Sequence, residues 1–394
     1  MNKDALLLGL EPSAIRELFE YGKKRKMMIG EDNVFDFSIG NPSIPSPQKV
    51  KDILIKNLDI IDPIKLHGYT SAAGDLEVRN KIAHYLNETY QTNVSGQYIF
   101  LSCGAAASLT MTFHGLLNAG NEVIGFAPYF PEYKVFIEGA GATFKAIMPN
   151  DDFSLDLDSF EKSITENTKI VLIDSPNNPT GALYSEEEIK RIAEILKKKQ
   201  EEFKHPIYLV SDEPYRELIY EDKKYPFITN YYDNAVVCYS FSKSLSLPGE
   251  RIGYVLINPN CDEATCVFAA ISGAARKLGF VCAPSMFQYL IGECLGVTSD
   301  ISAYKKNRDI LYNSLRDIGY EIVYPEGAFY MFVKALEDDA KHFSLVAREF
   351  ELLIVPSDTF GYPGYVRLSY CVSEDLIKRS IPAFEKLYER YRGK

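Results

Sequence analysis

Short apolar runs alternate with polar stretches of helical period through the middle of the chain. RNKIAHYLNETY (79–90) spaces its apolar residues as a helix does and leads to the strand-like YIFLS (98–102). A helix of small residues is expected from Ala105 to about Asn118, closing on Gly120. NEVIGFA (121–127), a helix over 131–141 and ATFKAIMP (142–149) come next. KIVLIDS (169–175) reads as a strand before a strong helix from Ser185 to Glu202. HPIYLVSD (205–212), NAVVCYSFS (234–242) and RIGYVLIN (251–258) complete the series. Runs this short and this rich in Ile and Val suit strands covered on both faces, so the expected fold class is α/β with a mostly parallel sheet flanked by helices.

Toward the ends the pattern changes. Helices over 300–318, 342–351 and 373–392 mix with short strands at 321–324, 329–334 and 365–370. The expected organisation is a large central domain over 45–284 and a smaller α+β domain built from 1–44 and 285–394. A length of 394 residues fits such a division, being too long for one ordinary domain.

Composition narrows the function classes. A formal charge of −11 disfavours a general nucleic-acid or anionic-membrane surface. The basic run Lys23-Lys24-Arg25-Lys26 sits in helix-like sequence and reads as a solvated helix end. No window is apolar enough to span a bilayer, and the start MNKDALLLGLEPS lacks the long apolar core of a signal peptide. Seven cysteines without paired spacing suit a reduced, cytoplasmic protein, and the five scattered histidines suggest no metal site.

Four places carry candidate chemistry. Ser240-Phe241-Ser242-Lys243 follows a buried-looking strand, with Arg251 eight residues on. A lysine that forms a Schiff base needs a rigid seat and a depressed pKa, while hydroxyls and an arginine suit a phosphate. Ser211-Asp212-Glu213-Pro214-Tyr215 closes another strand, where α/β sheets build ligand sites. An Asp there is commonly a helix cap, but it can also keep a pyridine nitrogen protonated. Ser175-Pro176-Asn177-Asn178-Pro179-Thr180-Gly181 again follows a strand. Ser102-Cys103-Gly104-Ala105-Ala106-Ala107 opens a helix with small residues, leaving N–H groups for an anion. It is not a Walker loop, and no GxGxxG follows a strand.

At these residues the chain resembles the fold-type I pyridoxal 5′-phosphate (PLP) enzymes of the aspartate aminotransferase superfamily, class I/II. The likeness runs nearly end to end, through PSAIREL (12–18), Gly40-Asn41-Pro42, HGYTSAAGDLEVRNKIA (67–83), PYFPEY (128–133), SPNNPTG, SDEPY, SFSKSLSLPGERIGY, PEGAFY (325–330) and GYVRLSY (364–370). The resemblance implies a ping-pong aminotransferase acting on an L-amino acid and a 2-oxo acid, with PLP bound to Lys243, the catalytic lysine. Asp212 would partner the pyridinium nitrogen, and Tyr215 and Asn178 the ring 3-oxygen. Phe130 would stack on the ring, with Tyr129 as the alternative register. Ser240, Arg251, Gly104 and the backbone of Ala105 and Ala106 would form the phosphate cup. Tyr69 would reach the phosphate of a partner subunit, which implies a homodimer with shared active sites. Arg367, with Gly40 and Asn178, would bind the substrate carboxylate.

Two departures stand out. The phosphate loop is Gly-Ala-Ala-Ala where many relatives place a hydroxyl or amide. The lysine that some aspartate-type relatives carry near Ala106 is missing, which tilts against a strict aspartate enzyme. Arg16, Arg276 and Arg308 are the other candidates for a distal carboxylate, though each reads more simply as a surface charge. A PLP-dependent carbon–sulfur β-lyase is the nearest alternative activity. A non-catalytic regulatory domain is the alternative of another class, disfavoured by the acidic charge.

Overall fold

The computed structural model describes residues 1–10 and 14–392, so Pro12 and Ser13 of the PSAIREL stretch lie outside the described residues. The chain forms two compact units. The larger comprises Pro45–Pro176 and Leu183–Asp300, and the smaller comprises Met1–Ile44, Asn177–Ala182 and Ile301–Lys394.

Seven strands form the sheet of the larger unit: β1 (Ile99–Ser102), β2 (Glu122–Phe126), β3 (Thr143–Ile147), β4 (Thr168–Asp174), β5 (Tyr208–Asp212), β6 (Ala235–Ser240) and β7 (Gly253–Ile257). Their spatial order is β1-β7-β6-β5-β4-β2-β3. Only β7 runs against its neighbours, and the other pairs are parallel.

Side chains alternate across a pleated strand, and here that alternation divides one sheet between two cores. Leu101, Ile124, Val171, Ile173, Leu209, Val237 and Leu256 belong to one. Phe100, Val123, Ile170, Leu172, Val210, Val236 and Val255 belong to the other. Helices Leu76–Tyr90, Glu186–Phe203 and Ser285–Glu293 supply apolar residues to the first core. Helices Ala105–Leu116 and Ala264–Leu278 supply the second. Each fully buried Val, Ile or Leu contributes about 1.5–3 kcal/mol relative to exposure. Helix Glu186–Phe203 starts with a capping box, Ser185 and Glu188 each bonding the other's backbone.

The smaller unit carries a four-stranded antiparallel sheet ordered Val355–Pro356, Tyr365–Ser369, Tyr330–Lys334, Ile322–Val323. Phe35–Asp36 pairs in parallel with Leu352–Leu353, joining the start of the chain to its last third. Helices Ile301–Ile318 and Glu374–Arg392 pack on one another.

The expected α/β class holds, but the larger unit runs on to Asp300 where it was expected to end at 284, and Asn177–Ala182 joins the smaller unit. A local difference concerns one strand. The apolar run 234–242 does not remain a strand to its end. Ser240 accepts a hydrogen bond from the Ser242 amide and caps a short helix, Phe241–Ser244, so the chain turns where an unbroken strand was expected. No helix among the described residues is long and apolar enough to cross a membrane.

Candidate active site

Strand register gathers the motifs of the larger unit at one edge of its sheet. Ser102 lies opposite Gly253, and Gly253 lies opposite Ser240. Asp212 is in register with Cys238 on one side and Asp174 on the other. These positions are the carboxyl ends of the strands that run in the common direction, the edge where α/β sheets build ligand sites.

Two glycines make the near corner of this edge possible. A Cβ on Gly253 would fall 3.0 Å from the Gly104 Cα and 3.2 Å from the Ser240 Cα, so three backbones meet there. Gly104 itself has φ +88° and precedes the helix Ala105–Leu116. A Cβ on it would stand 2.7 Å from Arg251 Nη2. The first bond of that helix runs from the Ser108 amide to the Gly104 carbonyl, so the amides of Ala105 and Ala106 have no partner within the helix. Arg251 is held by donating Nη1 to the Pro248 carbonyl at 2.9 Å. The corner is a cradle of helix amides, one guanidinium and the buried Ser240 hydroxyl, a donor set suited to a phosphate. Burial pushes the Cys103 thiol pKa up, with the Arg251 charge pulling it the other way.

Lys243 stands in the short helix capped by Ser240, and its Nζ lies 6.0 Å from the centre of the buried Tyr215 ring. Asp212 is 5% exposed. Its Oδ2 accepts a hydrogen bond from the Tyr133 hydroxyl at 2.7 Å, while Oδ1 is buried with no hydrogen-bond partner among the described residues. Burial raises the Asp212 pKa to about 7; the Tyr133 hydrogen bond works against the rise and the neighbouring Glu213 adds to it. An orphaned carboxylate oxygen is what a protonated ring nitrogen would satisfy, so the residues present fit a phosphorylated pyridine.

Phe130 and Tyr129 point to different neighbours. Phe130 packs edge-on against Tyr133 at 5.5 Å between ring centres, beside Asp212. Tyr129 packs edge-on against Phe144 at 4.8 Å. Of the two registers, Phe130 is therefore the one adjoining the Asp212 group.

In the smaller unit, Arg367 donates Nη1 to Asn178 Oδ1 at 3.1 Å and Nη2 to the Ser38 carbonyl at 2.6 Å. Its guanidinium lies over two rings, Tyr330 at 4.5 Å and Phe360 at 5.2 Å. A Cβ on Gly40 would fall 1.9 Å from the Tyr330 hydroxyl, which only a glycine tolerates. Arg367, Asn178 and Gly40 thus belong to one packed group, and Asn178 resides in the smaller unit. Tyr69 is 100% exposed. Arg16 and Arg276 are exposed side chains. Arg308 is 1% exposed, not a surface charge, and it binds Asp309 and the Pro325 carbonyl, which gives it a structural role.

Sequence reasoning missed Tyr133 in the site and a buried ion pair that follows Asp212 in the chain. Tyr133 stands 79 positions before Asp212, with no local signal linking them. Glu213 and Arg216 form a fully buried ion pair at 2.9 Å, and Arg216 also donates to the Tyr254 hydroxyl and lies over the Tyr239 ring. Their spacing of three inside SDEPYRE was a readable signal.

Comparison with known proteins decides the family. Residues 32–384 match the family Aminotransferase class I and II. The chain belongs to that family. This aminotransferase is 30% identical over 391 residues to the probable aspartate aminotransferase of Methanocaldococcus jannaschii, covering 97% of this chain and 98% of the relative. It is 31% identical to the aspartate aminotransferase of Thermotoga maritima over 94% of this chain and 96% of that one. A crystal structure of an amino transferase from Eubacterium rectale superposes with TM-score 0.97 at 53% identity, covering 99% of each chain. The aminotransferase expectation is borne out, and the comparisons favour neither the lyase nor the regulatory domain.

Proposed function

We propose that this aminotransferase carries PLP on Lys243 and moves the amino group of an L-amino acid to a 2-oxo acid in two half-reactions. When bound, the cofactor supplies an electron sink for the carbon that loses its proton. The single observation that carries the reading is the pairing, at one sheet edge, of the Gly104–Arg251 cradle with the orphaned Asp212 Oδ1.

Arg251, the Ser240 hydroxyl and the Ala105 and Ala106 amides hold the phosphate. Asp212 Oδ1 accepts a hydrogen bond from the ring nitrogen and keeps it protonated, Tyr215 and Asn178 donate to the ring oxygen, and Phe130 covers the ring. Lys243 Nζ takes the substrate's α-proton and later returns a proton, acting as base and then as acid. Arg367 grips the α-carboxylate through its N–H fork, assisted by Asn178 and the backbone at Gly40, and so orients the scissile bond.

A homodimer with shared sites is part of the proposal. The exposed Tyr69 ring is available to a neighbouring copy, and helices Gln48–Ile60 and Pro63–His67 before it expose Ile55, Ile60 and Ile64. The seven cysteines stand as free thiols, in keeping with a reducing cytoplasm.

The test is an absorption spectrum of the purified protein against a panel of single amino acids, aspartate and glutamate included. Conversion of the cofactor band by one of them, and its return with an oxo acid, is the expected result. A band that persists while pyruvate and ammonia accumulate would overturn the transfer reaction, and absence of any band after adding PLP would overturn the cofactor.

A further inference from the structure

Asp212 has two oxygens with different fates. Oδ2 is taken by the Tyr133 hydroxyl at 2.7 Å, and Oδ1 is buried and without a partner. Tyr133 is itself 2% exposed. Burial pushes its phenol pKa well above the ordinary value, with the Asp174 and Asp212 carboxylates adding to the rise, so the hydroxyl keeps its proton and acts as a donor. The ring of the same tyrosine braces Phe130 edge-on at 5.5 Å. Among the described residues, no other side-chain hydrogen bond to the Asp212 carboxylate is present.

We infer that Tyr133 is a positioning residue of this active site: its hydroxyl fixes which Asp212 oxygen faces the ring nitrogen and favours the charged form of that carboxylate, while its ring supports Phe130. The inference rests on the proposed cofactor reading for its purpose, but its physical content concerns Asp212 alone. A carboxylate buried beside another carboxylate favours the neutral form, which lacks the charge that would keep the cofactor's ring nitrogen protonated. Among the described residues, the titratable groups set against Asp212 are Tyr133 from helix Glu132–Gly139, Asp174 and Cys238 from the flanking strands, and Glu213 from its own. Burial and Glu213 raise the Asp212 pKa, and the Tyr133 hydrogen bond is the opposing influence on it. Tyr133 is therefore the hydrogen-bond donor that favours the charged form of Asp212 against that rise.

The test titrates Asp212 in the apoprotein by isotope-edited difference infrared spectroscopy, with Asp212→Asn assigning the carboxyl band. Tyr133→Phe keeps the ring against Phe130 and removes the donor. Its Asp212 midpoint should move up by about one to two pH units, as expected for loss of a hydrogen bond to a charged group. Replacing Tyr133 by 3-fluorotyrosine, nearly isosteric and a stronger donor, should move the midpoint down. An unchanged midpoint in a cooperatively folding Tyr133→Phe protein would overturn the inference. So would a shift of the same sign in both variants, which is what a purely structural role gives. If the phenylalanine variant does not fold, the fluorotyrosine protein alone decides the matter by the direction of its shift. Because no cofactor is present in the titration, failure of the PLP reading appears separately, as a wild-type protein without a cofactor band.

Discussion

Arg251 places Nη2 2.7 Å from the point where a Cβ on Gly104 would stand, so guanidinium and glycine share one small volume. A methyl group there collides with the guanidinium and also forces an L side chain into φ +88°. Gly104→Ala should weaken PLP binding by roughly 10- to 100-fold, the loss of about one charge-assisted contact. Titration of the apoprotein with PLP measures this, and wild-type affinity in the variant would remove Gly104 and Arg251 from the phosphate site.

Lys243 is the only group assigned both the cofactor linkage and the proton transfer. Lys243→Ala should reduce turnover by roughly 10²- to 10⁴-fold or more, while the thermal melt stays close to wild type. The fold is expected to survive because the turn is set by the Ser240 cap, which the substitution leaves in place. A coupled oxo-acid assay that still records near-normal turnover would end the role proposed for this lysine.

Arg367→Lys keeps the charge and loses the planar fork. On the proposed reading, KM for the amino acid should rise by roughly 10- to 100-fold, since uniform binding is what the fork supplies. Steady-state kinetics with saturating oxo acid gives the split between KM and kcat. A KM that stays at the wild-type value would remove Arg367 from the carboxylate site.

Asp212 should leave a mark on stability against pH. Its folded pKa of about 7 lies above the ordinary aspartate value of 3.8, so the folded apoprotein binds this proton more tightly than the unfolded chain does. The contribution is fully present below about pH 4 and is lost as pH rises to about 7. Melting temperatures of the apoprotein should therefore fall relative to those of Asp212→Asn across that interval, and parallel curves for the two proteins would contradict the raised pKa.

The fold was legible because most strands of the larger unit are short apolar runs, four of the seven ending in Ser or Asp, and because helix Glu186–Phe203 opens on a Ser-to-Glu capping signal. Strand order was not legible: the reversal of β7 depends on where a chain returns, which no local pattern encodes. Within the site, Gly104, Asp212, Lys243 and Arg251 stand at strand ends or a helix start and could be picked out by position. Tyr133 could not, because its partner is a carboxylate from a distant strand and its own surroundings read as an ordinary amphipathic helix. Arg308 misled for the opposite reason: an arginine in a polar helix suggests solvent, yet a neighbouring Asp309 and the Pro325 carbonyl make its burial tolerable.

The alternation that sends Ile170 and Leu172 to one core and Val171 and Ile173 to the other also limits how this chain can change over generations. Exchange among Ile, Val and Leu at any of these places is a small step. Gain or loss of a single codon within β4 is not, because every later side chain of the strand would swap cores at once. Heritable length variation is thereby confined to the connecting loops, and the sheet edge that carries Asp212 and Ser240 keeps its register while its surroundings diversify.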